Sequence, residues 1–577
     1  MKFLVALMLA VVLAPNAAMA QDHVPSRVDI AWNRYYTLDQ MNDFIRRIGD
    51  AYPDLVEVRT MGKSLQGRDL LIAIVNPKQG ASHETKPAMW IDGNVHGNEI
   101  QAGEVVLYTL WYLAKSYGAN EQLTTLMDDY AFYLVPCMNP DGRAWWFEEA
   151  NSPNTSRQNQ RPIDSDRDGL VDEDPPDDLD GDGSITGMWR EDPNGRWNRS
   201  QTDPRVFERV ASDEKGSWTY LGSEGIDNDG DGRINEDGPG GDDMNRNWPS
   251  DWQPTYVQRG AGPYPLSAPE TRAAAEFMYA HPNIAAAQSY HNTGGMILRG
   301  PGADYRANEY PRSDQAVYNA IAEVGVEMLP YYRNWVIWDD LYTVHGGFVT
   351  WVAEQLGVIS FTNELMIPAR YFQRDVSRPN DEQTWIWRDR LVFGEVFTDF
   401  TEYDHPKYGK ILVGGANKWA SRQTPLFMLE EECHRNFAFT MLHADEMPKL
   451  ALDRLEVSRL TDSTWSVTFE IRNEKLIPSR TGRQRLKRIG SPDLLTLEEA
   501  GGVRAVAAGR LSNWFDEHMD AVQHEPARVL VDEGITGRSG RIFRFIVTGR
   551  EGDTVRFTYE SEKATDLVIE ATLDEQG

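Results

Sequence analysis

Ala88-Met89-Trp90-Ile91, running into Asp92-Gly93-Asn94-Val95-His96-Gly97-Asn98-Glu99, is the stretch on which the reading turns. The apolar run predicts a buried strand, and the polar, glycine-containing segment after it predicts a loop at the strand's end. The His-x-x-Glu spacing in that loop is weak evidence alone. It gains force from two distant segments, Ser289-Tyr290-His291-Asn292 and Phe361-Thr362-Asn363-Glu364-Leu365. Two imidazoles and one carboxylate, from His96, His291 and Glu99, are a donor set for a catalytic Zn²⁺ with one position open for water. Glu364 is then a separate carboxylate for general base work. The pattern reads as a zinc peptidase. No His-Glu-x-x-His occurs, which excludes the helix-borne zinc protease pattern.

Outward from that loop, short apolar runs alternate with amphipathic ones from about residue 28 to 445. Leu71-Ile72-Ala73-Ile74-Val75 and Phe132-Tyr133-Leu134-Val135 predict further strands, and Glu104 to Tyr117 has helical periodicity. Ser267-Ala268-Pro269-Glu270 predicts a capping box opening a helix through Tyr279. The expected fold is α/β, a mixed central sheet flanked by helices. After Pro448 the period changes to two, in Thr464–Ile471, Arg541–Ile546 and Thr554–Tyr559. Residues 448–577 are therefore expected to form an all-β sandwich module. Its basic cluster, Arg480, Arg483, Arg485, Lys487 and Arg488, is expected to be a solvated loop.

The chain has 577 residues, 41% of them apolar and 11% aromatic, which fits two globular domains. A net charge of −31 argues against a nucleic-acid partner. About half of that charge lies between Asp164 and Asp243, where roughly two dozen Asp and Glu face about eight Lys and Arg. Met1-Lys2, the apolar run Phe3 to Leu13 and Ala18-Met19-Ala20 predict a cleavable signal peptide over residues 1–20. The expected location is secreted or periplasmic, without a membrane anchor, and the catalytic domain is expected to span 21–447 with no pro-segment before it. The two cysteines, Cys137 and Cys433, are read as buried thiols, with a disulfide left open.

Several ordered motifs resemble the zinc carboxypeptidases of the pancreatic carboxypeptidase A type. Gly62-Lys63-Ser64-Leu65-Gln66-Gly67-Arg68 resembles that family's early hairpin, His96-x-x-Glu99 its first two zinc ligands, and Asn139-Pro140-Asp141-Gly142 the turn after the next strand. His291 falls at the third ligand and Glu364 at the general base. The resemblance implies more roles. Arg190, in Met188-Trp189-Arg190, would polarise the scissile carbonyl. Asn245 and Arg246, in Asn245-Arg246-Asn247-Trp248, would clamp the substrate's terminal carboxylate. Tyr342, followed by Gly346-Gly347 and Trp351, would close over substrate. A guanidinium fork suits a carboxylate, so the implied substrates are peptides with a free C-terminus, cut one residue at a time. Asn98 departs from the arginine that the pancreatic enzymes carry there. Val349 stands where the family sets side-chain preference, which implies an uncharged pocket.

The acidic stretch has its own signal. Asp164, Asp166, Asp168, Asp172 and Glu173 follow an Asp-x-Asp-x-Asp-Gly pattern, repeated by Asp227, Asp229, Asp231, Asn235 and Glu236 and, in shorter form, by Asp178, Asp180 and Asp182. Alternate carboxylates with a turn glycine suit Ca²⁺. Proline at position 175 stands where an EF-hand needs its acidic twelfth residue, so these are EF-hand-like or thrombospondin-repeat-like loops. Bound Ca²⁺ is expected to fix Arg190, Asn245 and Arg246. Two other readings stay open: a zinc hydrolase of cell-wall peptides or N-acyl amino acids, and a catalytically silent calcium-dependent binding protein.

Overall fold

The computed structural model describes residues 24–368 and 381–574. The signal peptide expected over 1–20 lies outside the described residues. Helix α1 (Leu38–Ala51) leads into the hairpin of β1 (Val56–Lys63) and β2 (Asp69–Val75). Then come β3 (Ala88–Gly93), α2 (Ile100–Ser116), α3 (Glu121–Asp129), β4 (Ala131–Val135) and α4 (Pro140–Glu148). The acidic stretch contributes β5 (Gly187–Gly195), β6 (Trp197–Arg199), β7 (Phe207–Arg209) and β8 (Gly216–Ser223). The central body resumes with α5 (Pro269–Ala280), β9 (Ile284–Asn292), β10 (Met296–Arg299), α6 (Arg312–Met328), β11 (Arg333–Val336), α7 (Phe348–Leu356) and β12 (Ile359–Leu365).

Eight strands form a mixed sheet in the order β1-β2-β4-β3-β9-β12-β10-β11. Alternation along the strands feeds two cores. Met89 and Ile91 of β3 pack with α1, α2 and the helix Leu429–Asp445 on one face. Ala88 and Trp90 pack with α5, α7 and Trp248 on the other. The central strands are thus buried on both sides, which is why they read as continuous apolar runs. Strand β3 runs parallel to β4 and β9, and β9 parallel to β12. Their C-terminal ends therefore open on one edge, where ligands of α/β sheets bind.

A second sheet has no counterpart in the sequence reading. Strands β5–β8 join β13 (Phe397–His405) and β14 (Gly409–Ala416) in the order β13-β14-β5-β8-β6-β7. Trp189 of β5 stacks on Phe207 of β7 at 3.7 Å. The expected capping box at Ser267 is also not formed. Ala268 is the N-cap, and Glu270 instead accepts the Leu65 amide at 2.9 Å, tying α5 to the β1–β2 turn.

Beyond the helix Leu429–Asp445 the chain forms sheets of five and four strands around one apolar core, with Trp465, Phe469, Phe545 and Phe557 at its centre. This all-β sandwich leans on the central body through polar contacts. Lys563 is buried and donates to the carbonyls of Ile284 and Pro282 at 2.6 and 3.2 Å. The basic cluster divides: Arg485, Lys487 and Arg488 are exposed as expected, but Arg480 and Arg483 are not solvated. Arg480 pairs with Asp532 and Arg483 with Glu309, both arginines being buried, and Asp314 accepts the amides of Gly482 and Arg483 at 2.8 Å. Among the described residues, no helix is long and apolar enough to cross a membrane. Cys137 and Cys433 are both buried and unpaired.

Candidate active site

The loop after β3 is braced from behind. Asn94 adopts φ +56° and its side-chain amide donates to the carbonyls of His96 and Gly97. Arg143 of α4, fully buried, donates to the Asn94 side-chain oxygen and the Ile100 carbonyl at 2.9 Å and pairs with Glu104 at 2.6 Å. Gly97 is required here. A β-carbon on it would lie 2.3 Å from the Ser156 carbonyl oxygen and 2.6 Å from the Gly142 α-carbon. The absent side chain lets the segment Ser156-Arg157-Gln158 cross directly over the loop, and the Gly97 amide donates to the Arg157 carbonyl.

On this platform His96, Glu99 and His291 converge, all buried, with one donor atom from each within 4.8 Å of the others. His96 Nδ1 lies 2.9 Å from Glu99 Oε1, and His291 Nδ1 lies 3.0 Å from Glu99 Oε2 and 3.2 Å from His96 Nδ1. Two ring nitrogens and a carboxylate aimed at one point fit a zinc donor set. Burial opposes ionisation of Glu99, but His96 and His291 outweigh it and hold the carboxyl well below its ordinary range. Asp243 backs His96, with Oδ1 3.1 Å from Nε2. Such a partner fixes the ring and raises its basicity as a ligand. Burial likewise opposes the Asp243 charge, and Arg157, His96 and Arg246 overcome it.

Glu364 sits on β12 opposite His291 in the β9–β12 register, so the hydrogen-bond ladder fixes their separation. Its Oε2 is buried without a hydrogen-bond partner. Burial first, and repulsion from Glu99 second, push its carboxyl up to about 7, against the pull of His291, Arg157 and Arg422. Glu99, Asp243, Arg157, Arg246, Tyr342, Glu364 and Arg422 line one cleft of about 620 Å³.

The implied clamp residues divide. Arg246 lies on the cleft wall with Nη2 3.5 Å from the Tyr342 hydroxyl, and Tyr342 is half exposed at the end of the turn Ile337–Leu341. Gly346, at φ +63°, lets the Tyr342 segment pass against the Arg246 carbonyl. Asn245 is largely engaged: its Oδ1 accepts the Phe348 amide at 2.9 Å, and its Nδ2 lies 3.5 Å from His291 Nε2. Val349 is buried in a small apolar cluster with Met296, Leu298 and Ile337 and does not line the cleft; Met296 and Leu341 do.

Arg190 stands elsewhere. It is paired with Thr219 between β5 and β8, 6.0 Å over the Tyr408 ring and 3.9 Å from Asp192, and does not line the cleft. Met188-Trp189-Arg190 matches a motif in spelling but folds as a strand of the second sheet. The guanidinium beside the donor cluster belongs to Arg157, whose Nη1 lies 3.2 Å from Glu99 and whose Nε lies 3.1 Å from Asp243. Burial opposes its charge, and Asp243 and Glu99 raise its pKa above the ordinary arginine value. Arg422, which donates to the Asn292 carbonyl at 3.1 Å, adds a second cation 3.6 Å from Glu99. Sequence reasoning missed Arg157, Asp243 and Arg422. Two of them had a usable signal: Asp243 precedes Asn245-Arg246 by two residues, and Arg157 follows Gly142 before the acidic loops begin.

The acidic loops lie off the cleft. In each, the leading aspartate gathers backbone amides: Asp164 those of Arg167 and Gly169, Asp178 those of Gly181, Asp182 and Gly183, and Asp227 those of Gly230 and Gly232. Asp180 accepts the Asp182 amide, Asp182 that of Ser184. Asp172 turns back onto Ile163, and Asn235 donates to the carbonyls of Ser223 and Glu224.

Residues 41–386 match the family model described as zinc carboxypeptidase, and residues 449–572 match a domain of unknown function. Human carboxypeptidase D is 32% identical over 108 residues, 19% of this chain and 8% of that protein. The inactive metallocarboxypeptidase ECM14 of Saccharomyces cerevisiae is 29% identical over 117 residues, 20% of this chain and 27% of that protein. The chain thus matches well under a third of the length of these relatives. Carboxypeptidase A from Helicoverpa armigera is similar in structure, with 15% identity, a TM-score of 0.44, and coverage of 74% of this chain and 76% of that one. The family match spans more than half of the sequence, the part that carries the His96, Glu99 and His291 cluster: this chain belongs to the zinc carboxypeptidase family.

Proposed function

We propose that the protein is an exported zinc-dependent carboxypeptidase that removes single C-terminal residues from peptides. One observation carries the reading: the Glu364 carboxylate, buried with a free oxygen, shares its cleft with Glu99, the member of the His96, Glu99 and His291 donor cluster that reaches the cleft wall, and with the Arg246 and Tyr342 pair. Zinc held by these three residues would supply a Lewis acid and an acidified water. Glu364 takes the proton and later returns it to the leaving amine, and a pKa near neutrality suits both directions. Arg157, partly buried and held between Glu99 and Asp243, offers a fixed charge to the developing oxyanion. Arg246 takes the terminal carboxylate, and the Tyr342 hydroxyl adds a hydrogen bond to it. Apolar Met296 and Leu341 leave an uncharged wall for the departing side chain.

Export is supported by the N-terminal charge and hydropathy pattern, and Ca²⁺ as a structural ion by the recurring Asp-x-Asp-x-Asp-Gly spacing. The test is mass-spectrometric readout of a mixed peptide library, incubated with the protein and with Glu364→Gln. Stepwise loss of terminal residues that the substitution slows at least about a hundredfold is expected. Internal cuts, or release of N-acyl groups with peptides left intact, would refute the assignment.

A further inference from the structure

The first and last acidic loops, far apart in sequence, form one object. Numbered from their leading aspartates, residues 164–174 and 227–237 share the spelling Asp-x-Asp-x-Asp-Gly-x-x-x-Glu-Asp. Their eleventh residues, Asp174 and Asp237, pair as an antiparallel bridge and are both fully buried. Each reaches across to the other loop at the same position. Asp237 Oδ1 accepts the amide of Ser165, and Asp174 Oδ1 accepts that of Asn228, both at 3.1 Å. The pair therefore has local two-fold symmetry.

The carboxylates obey that symmetry too. Oxygens of Asp166, Asp168, Glu173 and Asp229 lie within 4.8 Å of one another, and so do those of Asp229, Asp231, Glu236 and Asp166. Each group takes the third, fifth and tenth residues of one loop and the third of its partner. Asp237 joins Asp164 and Asp166 in a further cluster of this kind. Its Oδ2 is buried and has no hydrogen-bond donor, and neither has Oε2 of Glu173 nor either carboxylate oxygen of Glu236. Glu173 lies against Asp237 and Glu236 against Asp174, carboxyl to carboxyl. Arg233 offers Asp231 only an exposed contact at 3.8 Å. Buried oxygens without donors on Asp237, Glu173 and Glu236, set among the more open carboxylates of Asp166, Asp168, Asp229 and Asp231, are costly unless a cation sits between them. An all-oxygen set of carboxylates drawn from two loops disfavours zinc, and its many ligands suit Ca²⁺.

We propose that the two loops together hold a pair of Ca²⁺ ions, bridged by Asp166 and Asp229. This deepens the calcium part of the proposed function and is independent of its peptidase part. The bridge explains why the loops meet although the strands β5 to β8 separate them in the chain. It also places the ions at the neck of the insertion. There the Asn159 amide donates to the Asp242 carbonyl at 2.9 Å, Arg161 pairs with Asp242 at 2.7 Å, and Arg157 and Asp243 follow toward the cleft.

The test is equilibrium dialysis of the whole protein against radioactive Ca²⁺ at fixed free concentration, with zinc measured in the same samples. Asp229→Asn is expected to bind two fewer Ca²⁺ than the parent with zinc unchanged, because one bridging carboxylate serves both ions. Loss of one ion or none would overturn the bridge while leaving calcium binding in place. A parent protein that binds no Ca²⁺ would overturn the calcium reading as well, whatever its peptidase activity. Should Asp229→Asn fail to fold, Asp166→Asn makes the same test from the other loop. Titration of the parent serves too: two ions leaving together support the bridge, and independent departures overturn it.

Discussion

Replacing Arg157 by Met, beside the matched replacement of Arg190, separates two accounts of the reacting face. Arg157 is enclosed between Glu99 and Asp243 at 3.2 and 3.1 Å, whereas Arg190 is partly exposed with its nearest carboxylate 3.9 Å away. Removal of one fixed donor from a developing oxyanion costs about 2.7–4 kcal/mol, or roughly 10²–10³ in kcat. Arg157→Met also strands two buried carboxylates, which costs about 3–5 kcal/mol of stability when nothing replaces the lost partner. Arg246 beside Asp243 and Arg422 beside Glu99 remain, so a loss near the lower end is expected. Arg190→Met removes a weak surface pair, worth about 0–1 kcal/mol. The assay is kcat/KM on a blocked dipeptide with a free C-terminus, with zinc content and the urea midpoint measured on each protein. The reasoning fails if Arg157→Met, fully loaded with zinc, keeps more than about a third of the parental kcat, a deficit below about 0.7 kcal/mol. It fails equally if Arg190→Met loses as much as Arg157→Met.

Asp243→Asn should weaken zinc binding about 10–100-fold by removing the carboxylate behind His96, read by competition with a chromogenic chelator; unchanged affinity would rule out that support. Gly97→Ala should destabilise the protein by at least about 1–3 kcal/mol, because the added carbon meets backbone on two sides; an unshifted urea midpoint would count against the close crossing. Lys563, buried under the β-module, has its pKa pushed down to about 8 from 10.5 by desolvation. The unfolded chain then binds the extra proton between pH 8 and 10.5, so stability rises with pH across that window, by about 3 kcal/mol. Lys563→Met should flatten this rise relative to the parent; parallel stability curves would refute it.

The parts of the fold legible in sequence are those with local signatures. Strands β2, β3 and β4 announce themselves as apolar runs because both faces are covered, and the module strands announce themselves by period two. His96 and Glu99 share one loop, and His291 and Glu364 each close an apolar strand, so their residue types stand out. Other features depend on what the chain meets after folding. Arg157 matters because Gly97 lets its segment pass, and nothing in Asn154-Thr155-Ser156-Arg157 declares that. The second sheet is hidden because β5 and β8 are polar and half exposed, and β14, which pairs with β5, arrives more than two hundred residues later. Arg480 and Arg483, at the start of the basic run, look solvated until Asp532, Glu309 and Asp314 are brought beside them. Ser267 and Glu270 have the letters of a capping box, but Glu270 is drawn to the Leu65 amide instead.

The order of strands β3, β9 and β12 also bears on when the protein can become active. His96, His291 and Glu364 occupy neighbouring strand ends, yet hundreds of residues of chain separate the first from the last. Parallel pairing over such distances is slow, because each closure must precede its reward. On the proposed mechanism, a chain still lacking β12 would have ligands without a base, and one lacking β9 would have neither the third ligand nor the ladder that positions Glu364. Hydrolytic competence thus arrives as a late event of folding. On that mechanism a form lacking β9 or β12 would not hydrolyse the unfolded chains around it, its own copies included.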